Sequence, residues 1–307
     1  MTNYTRLSRK PKQFHALTGY TLEEFDALLP AFVISFLAYA QTYTLEGKKR
    51  QKRRYVTYKN CPLPTMEDKL LFILMYLRKA TTQDIFGEVF GMSQPVVNQW
   101  VHRLHPCLNQ ALAELGEIPA RTASDLQVAD DEAKVYFQDG TERPIQRPKN
   151  QEVQKTYYSG KKKRHTVKNN VLVNAQAKIG LLSTTCEGKK HDKKIADETQ
   201  FTLPQDSLLY QDTGFQGFVL EGVTILQPKK KPRGRQLTAE EKERNRDISR
   251  VRIRVEHTIG GVKRYRIVKD QLRNWKQDFR DQVMETCCGL HNFRLNFRPW
   301  HYFSTAL

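Results

Sequence analysis

Acidic residues are scarce in this chain: 33 Asp and Glu stand against 51 Lys and Arg, a formal net charge of +18. Such a chain is drawn to a polyanion by counterion release, which makes nucleic acid the expected partner. Long apolar runs are also missing. The longest, Leu28 to Ala40, is interrupted by Pro30 and Ser35, is too short to span a bilayer and reads as a core helix, so no membrane partner is expected. Cysteine is sparse and unpatterned: Cys61, Cys107, Cys186, Cys287 and Cys288 form no C-x-x-C pair and are odd in number, which argues against a disulfide framework and a zinc ribbon. Cys287, Cys288 and His291 share a predicted helix, where buried packing is preferred over a metal site. The opening MTNYTRLSRKPKQF is polar and basic, unlike a secretory signal, so the expected location is the cytoplasm, with the nucleoid. No internal repeat stands out.

At 307 residues the chain exceeds one ordinary core, and its composition shifts in ways that predict three segments. Residues 1–64 are a helical and basic segment. Thr21 with Glu24 predicts a capping box before an apolar helix, and the stretch Lys48 to Arg54 a cationic loop. Residues 65–115 are all-helical. Thr65 with Asp68 caps one helix, Thr81 with Asp84 a second through Ile85, Val89 and Phe90, and a third runs from Pro95 to about Leu112 with Val97, Val101, Leu104 and Leu108 on its stripe. Two helices joined by Gly91-Met92-Ser93 predict a helix-turn-helix, whose second helix would expose Gln94, Asn98, Gln99, His102 and Arg103. Amide side chains can address adenine and Arg guanine in a major groove. A three-helix bundle with a solvated polar face gives the same pattern, and Trp100 reads as core.

Residues 116–307 change to short β-rich runs. Strands are predicted at Val135 to Gln138, a hairpin at His165 to Ala175 and Ile179 to Cys186, and further strands at Ser207 to Gln211 and Val223 to Leu226. A helix bearing HDKKIADETQF lies between, a long helix runs from Thr238 to about Tyr265, and a last amphipathic helix, roughly Gln277 to Phe297, closes the domain. That order predicts an α/β fold in which an RNase H-like domain follows an all-α helix-turn-helix domain.

Against the basic background three acids stand apart: Asp139 in VYFQDGTERPI, Asp212 in LLYQDTGFQG and Glu256 in RVRIRVEHTIGGVKRYR. Asp139 and Asp212 each close a predicted strand, and Glu256 flanks the helical stripe of Ile248, Val251, Val255, Ile259 and Val262. All three could converge at one sheet edge, where carboxylates hold hard divalent cations for phosphoryl transfer. Turn-forming Asp and a surface Glu in an ion-paired helix explain the same residues without chemistry.

DGTERPIQRP, YYSGKKKRHTVKNNVLVN, GKKHDKK, LLYQDTGFQG and ISRVRIRVEHTIGGVKRYR, in this order and approximate spacing, resemble the DDE transposases of bacterial insertion sequences related to the harbinger superfamily. The resemblance spans about Thr65 to the C-terminal helix. It implies Asp139, Asp212 and Glu256 as catalytic, metal-holding acids with two Mg²⁺ roughly 4 Å apart, Mn²⁺ being a substitute. It also implies double-stranded DNA as partner, at the transposon ends and the target, and a homodimer or higher oligomer on that DNA. Lys161, Lys162, Lys163 and Arg164 are expected to contact phosphates, and Lys229, Lys230, Lys231, Arg233 and Arg235 to form a DNA-contacting loop beside the site. Asp192 is either a helix N-cap or a group close behind the metals. A tyrosine or serine recombinase using Tyr157, Tyr158 or Ser159 leaves the three acids without a role. A nuclease that does not join strands, and a DNA-binding regulator without catalysis, remain as alternatives.

Overall fold

The structure, a computed structural model, describes residues 1–51, 55–126, 134–274, 276 and 278–300. The chain runs through α1 (Tyr4–Ser8), α2 (Pro11–Thr18), α3 (Leu22–Thr42), α4 (Met66–Lys79), α5 (Gln83–Phe90), α6 (Gln94–Glu114), β1 (Val135–Pro144), α7 (Gln151–Tyr157), β2 (Tyr158–Ser159), β3 (Arg164–Asn174), β4 (Ile179–Leu182), β5 (Cys186–Glu187), α8 (Asp192–Thr199), β6 (Ser207–Gln211), β7 (Val223–Leu226), α9 (Ala239–Val262), α10 (Arg266–Lys269) and α11 (Phe279–Leu295). It forms two compact units. One comprises Met1–Ile118, Lys263–Asp270 and Gln282–Phe297, and the other is built mainly from Pro119–Val262 and Gln271–Asp281.

In the helical unit, the capping box of Thr21 and Glu24 opens α3, satisfying orphan N–H groups at both ends of the box. α3 is long and apolar enough, by length and composition, to cross a membrane, yet Phe25, Leu28, Phe32, Phe36 and Ala40 are buried inside this unit. The Thr65 side chain caps α4 by accepting from the Asp68 N–H. α5 is capped by Thr82, without a side-chain bond, and not by Thr81. Ile85, expected on its buried stripe, is exposed, because Phe86 and Phe90 take the inner face and meet Phe72 with ring centroids 5.0 Å apart. The turn into α6 needs two glycines. Gly91 is left-handed at φ +67°, and a Cβ on Gly87 would lie 2.4 Å from the Met92 carbonyl oxygen. The last helix differs from expectation in its allegiance. From Gln282 onward α11 belongs to the helical unit, where the Tyr20 hydroxyl donates to Leu290 O at 2.7 Å and Thr286 Oγ1 meets His105 Nε2 at 3.0 Å. Val283, Met284, Cys287 and Cys288 are buried, and its expected start, Gln277, lies outside the described residues.

In the second unit a seven-stranded sheet has the order β2-β3-β1-β6-β7, with β4 and β5 also paired to β3. β1 is antiparallel to β3 and parallel to β6, and β7 is parallel to β6. Strand alternation sorts the faces. Tyr136, Leu172 and Leu209 pack with Ala196 of α8, Phe201, Phe215 and Phe218 on one side. Phe137 stacks with Tyr210 at 5.5 Å on the other, under the Arg254 guanidinium of α9. β6 and β7 have their expected bounds. β1 does not stop at Gln138: DGTERP continues the strand, pairing with Thr166 to Val171 of β3. The expected second hairpin arm is split into β4 and β5 where the Ser183 hydroxyl replaces a ladder carbonyl by accepting from the Asn170 N–H at 2.8 Å. α9 opens with Thr238 and Glu241 in reciprocal backbone bonds and ends at Val262, short of Tyr265.

Candidate active site

The parallel ladder between β1 and β6 ends at the pair Gln138 and Gln211. Asp139, the next residue of β1, and Asp212, the first residue after β6, follow that pair side by side. The glutamines form a ladder that is buried at Gln138 and Gln211 and half-buried at Gln227: Gln227 Nε2 donates to Gln211 Oε1 at 2.7 Å, and Gln211 Nε2 to Gln138 Oε1. Gln227 also donates to Phe215 O at 3.1 Å, tying the turn after Asp212 to the end of β7. Sequence reasoning missed this bracket. Its signal was present in the repeated Gln-Asp of YFQDG and LYQDTG.

α9 brings the third acid. Its Arg252 sits one turn before Glu256, and the Arg252 guanidinium lies 3.7 Å from Asp139 Oδ2, 3.9 Å from Asp212 Oδ1 and 3.6 Å from Glu256 Oε1. Three carboxylates from three elements thus share one cation. These separations exceed a hydrogen bond, so Arg252 serves as a central charge rather than as a clamp. Side-chain exposure rises from 19% at Asp139 through 38% at Asp212 to 58% at Glu256, so the cluster opens toward solvent on the Glu256 side. Burial pushes the Asp139 carboxyl up to about 6, partly offset by Arg252 and by the Gly140 N–H, with Asp212 and Asp192 adding to the rise. The Asp139 and Asp212 carboxylates each accept from the following backbone N–H, at 2.8 and 2.7 Å.

An all-oxygen set of three carboxylates suits a hard divalent cation, and the guanidinium stands where positive charge is wanted. Each acid has an oxygen within 4 Å of Arg252, but among the described residues no group of three or more His, Cys, Asp or Glu is arranged to hold a metal ion.

Asp192 is not the N-cap of α8. His191 holds that position, and Asp192 is the first helical residue. Its carboxylate is instead wedged between the two acid-bearing segments. A Cβ on Gly140 would lie 2.3 Å from Asp192 Oδ1 and one on Gly214 3.1 Å from Asp192 Oδ2, so both glycines make room for it. Lys168 Nζ lies 3.2 Å from Asp192 Oδ1 and 3.6 Å from Glu142 Oε1, and Asn170 Nδ2 donates to Asp192 O at 2.8 Å. Gly140 pairs with Asn170 and Glu142 with Lys168 across β1 and β3. This polar group lines the sheet face that Gly140 presents, and the strand alternation turns Asp139 to the opposite face.

The expected DNA-reading residues divide. Arg103 does not belong to an exposed face: it is 3% exposed, lies among the rings of Phe36, Tyr39, Tyr55 and Trp100, and donates to Tyr43 O at 3.1 Å. Trp100, Arg103 and Cys107 make a second buried stripe along α6, so this guanidinium cannot reach a base. Gln94, Asn98, Gln99 and His102 are partly exposed. Gln94 and Asn98 both donate to Gln83 Oε1 of α5, which orients their amides. Lys161, Lys162, Lys163 and Arg164 are exposed at the tip between β2 and β3, about 23 Å along β3 from the residue opposite Asp139 at about 3.3 Å per residue. Lys229, Lys230, Lys231, Arg233 and Arg235 are exposed as well. Their loop is not beside the acids throughout. Lys229 exchanges two backbone bonds with the Asn245 side chain, at 2.7 and 2.9 Å, and pairs with Glu241. Asn245 is about 16 Å along the helix from Glu256, and the start of α9 about 25 Å.

Residues 138–292 match the family model described as DDE superfamily endonuclease, and residues 61–114 the model described as helix-turn-helix of DDE superfamily endonuclease. A curated relative, the probable transposase for insertion sequence element IS702 of Microchaete diplosiphon, is 28% identical over 250 residues, covering 81% of this chain and 85% of the relative. No solved structure matches.

Proposed function

We propose that this chain, which belongs to the DDE superfamily of endonucleases, is an insertion-sequence transposase that cleaves and transfers DNA strands at Asp139, Asp212 and Glu256. The observation that carries the reading is one guanidinium within 4 Å of three carboxylates that lie far apart in the chain. The sheet supports an RNase H-like reading, since three antiparallel segments precede two parallel strands and the long helix follows.

Asp139, Asp212 and Glu256 would hold Mg²⁺, for which Mn²⁺ can substitute, and bound ions supply an activated hydroxyl nucleophile and charge stabilisation at the scissile phosphate. The chain's own residues prepare that chemistry. The glutamine ladder holds Asp139 and Asp212 abreast, the Gly140 and Thr213 N–H groups fix carboxylate orientation, and Asp192 sets the spacing of the segments from behind. In the helical unit, Gln94, Asn98 and Gln99 at the start of α6 would read the terminal inverted repeats of double-stranded DNA. The lysines and arginines of the β2–β3 tip and the β7–α9 loop would hold phosphates away from the acids. Joining requires two DNA ends held together, which favours a homodimer or higher oligomer on DNA in the cytoplasm.

The test is a duplex carrying the repeats that flank the coding sequence, incubated with the protein, Mg²⁺ and a supercoiled target. Cleavage at the repeat followed by covalent joining supports the reading, and cleavage without joining reduces the function to that of a nuclease.

A further inference from the structure

Arg252 raises a question that the three acids alone do not. Its side chain is 12% exposed and closer than 4 Å to every acid of the cluster. No hydrogen bond ties it to the acids: the distances are too long for one, and Arg252 Nε is buried without a hydrogen-bond partner among the described residues. Arg143, another buried arginine whose Nε has no such partner, differs at its terminal nitrogens, which donate to Arg280 O, Asn169 Oδ1 and Thr185 Oγ1 at 2.7 to 3.0 Å, whereas those of Arg252 stand 3.6 to 3.9 Å from the acids. Arg252 is therefore held by charge more than by directed bonds, and what holds it is the set of anions that a divalent cation would need.

We infer that Arg252 is the resident counter-cation of the unloaded acidic cluster, which divalent metal must displace, so that this side chain sets the metal concentration at which the site loads. The inference rests on the reading of Asp139, Asp212 and Glu256 as the metal-holding acids. Two effects of the guanidinium oppose each other. It gathers carboxylates that would otherwise repel, which favours loading, and it places a like charge within about 4 Å of the incoming ion, which disfavours it. The second effect prevails for geometric reasons. One guanidinium lies within 4 Å of an oxygen of each of the three carboxylates, so ion and guanidinium compete for the same anions. A divalent ion also supplies the gathering that Arg252 supplied.

The device would keep a basic, DNA-attracting protein idle when metal is low. Release loses the charge interactions with three carboxylates but no hydrogen bonds to them, and the incoming ion and a nearby phosphate offset that loss.

The experiment is calorimetric titration of Mn²⁺ into the full chain, without DNA, for the native protein, Arg252→Gln, Arg252→Lys and Asp212→Asn, with thermal melting at each Mn²⁺ concentration. Removing one like charge at this distance should tighten Mn²⁺ binding by Arg252→Gln about tenfold or more, and Mn²⁺ should raise its melting temperature more than that of the native protein. Arg252→Lys, which keeps the charge on a side chain of shorter reach, should fall between, and it carries the test if the neutral variant does not fold. Equal or weaker Mn²⁺ binding by Arg252→Gln, with binding still lost in Asp212→Asn, overturns the displacement role and leaves the metal-holding acids standing. Mn²⁺ binding that Asp212→Asn does not weaken overturns both.

Discussion

Asp139→Asn should stabilise the protein at neutral pH while destroying the site. The Asp139 carboxyl is pushed from an ordinary 3.8 to about 6, first by burial. A carboxyl whose value is raised by folding binds its proton more tightly in the folded state. Its contribution to stability is therefore full below about pH 4 and is lost as pH rises through about 6. At about 1.4 kcal/mol per pH unit, the rise corresponds to an upper bound of about 3 kcal/mol against the folded state at pH 7.5. Asparagine keeps the shape and the acceptor for the Gly140 N–H without the charge. Urea unfolding in the presence of a chelator should then show Asp139→Asn more stable than the native protein by up to about 3 kcal/mol at pH 7.5, with the difference closing toward pH 4. Adding Mg²⁺ should narrow the gap by stabilising only the native protein. A variant less stable at neutral pH, or a difference that does not change with pH, would refute the assignment of burial as the dominant influence on this acid.

Arg103→Ala should lower the stability of the helical unit by about 3 kcal/mol, because it removes a buried cation from four aromatic rings. It should leave the ratio of specific to non-specific DNA affinity unchanged, and a loss of sequence preference in folded protein would return Arg103 to the reading face. Asn98→Ala and Gln99→Ala should each lower discrimination for the terminal repeat by roughly 1–3 kcal/mol if the amide makes a bidentate base contact, measured by competition with unrelated duplex. Neutralising Lys230, Lys231, Arg233 and Arg235 together should flatten the salt dependence of DNA binding by several units. Cleavage within a preformed complex should survive, since the loop runs along the first half of α9 away from Glu256.

Much of this architecture is legible in the sequence, for identifiable reasons. β6 and β7 are short apolar runs bounded by turn residues, and the two capping boxes announce α3 and α9 within a residue. Period-two patterning stops being informative past Asp139, where β1 continues because β3 offers it a partner, a long-range fact that no local window contains. The allegiance of α11 is hidden for the same reason. Arg103 misleads because charge argues for exposure, whereas the Trp100, Arg103 and Cys107 spacing argues for a buried stripe. At the site, sequence singles out the acids by their isolation among cations. It does not weight Arg252, although the Arg-x-x-x-Glu spacing places it one turn from Glu256. Asp192 is visible only as one of two readings, and its place between Gly140 and Gly214 requires the folded sheet.

The most direct measurement is Mg²⁺-dependent cleavage of a duplex carrying the element's terminal repeat by Asp139→Ala, Asp212→Ala and Glu256→Ala, with DNA affinity of each variant measured at the same salt. If the three acids are the reaction centre, each substitution abolishes cleavage while DNA binding, carried by Lys and Arg, stays nearly unchanged or tightens slightly. Retention of Mg²⁺-dependent cleavage by any of the three, in protein that still binds the repeat, would contradict it.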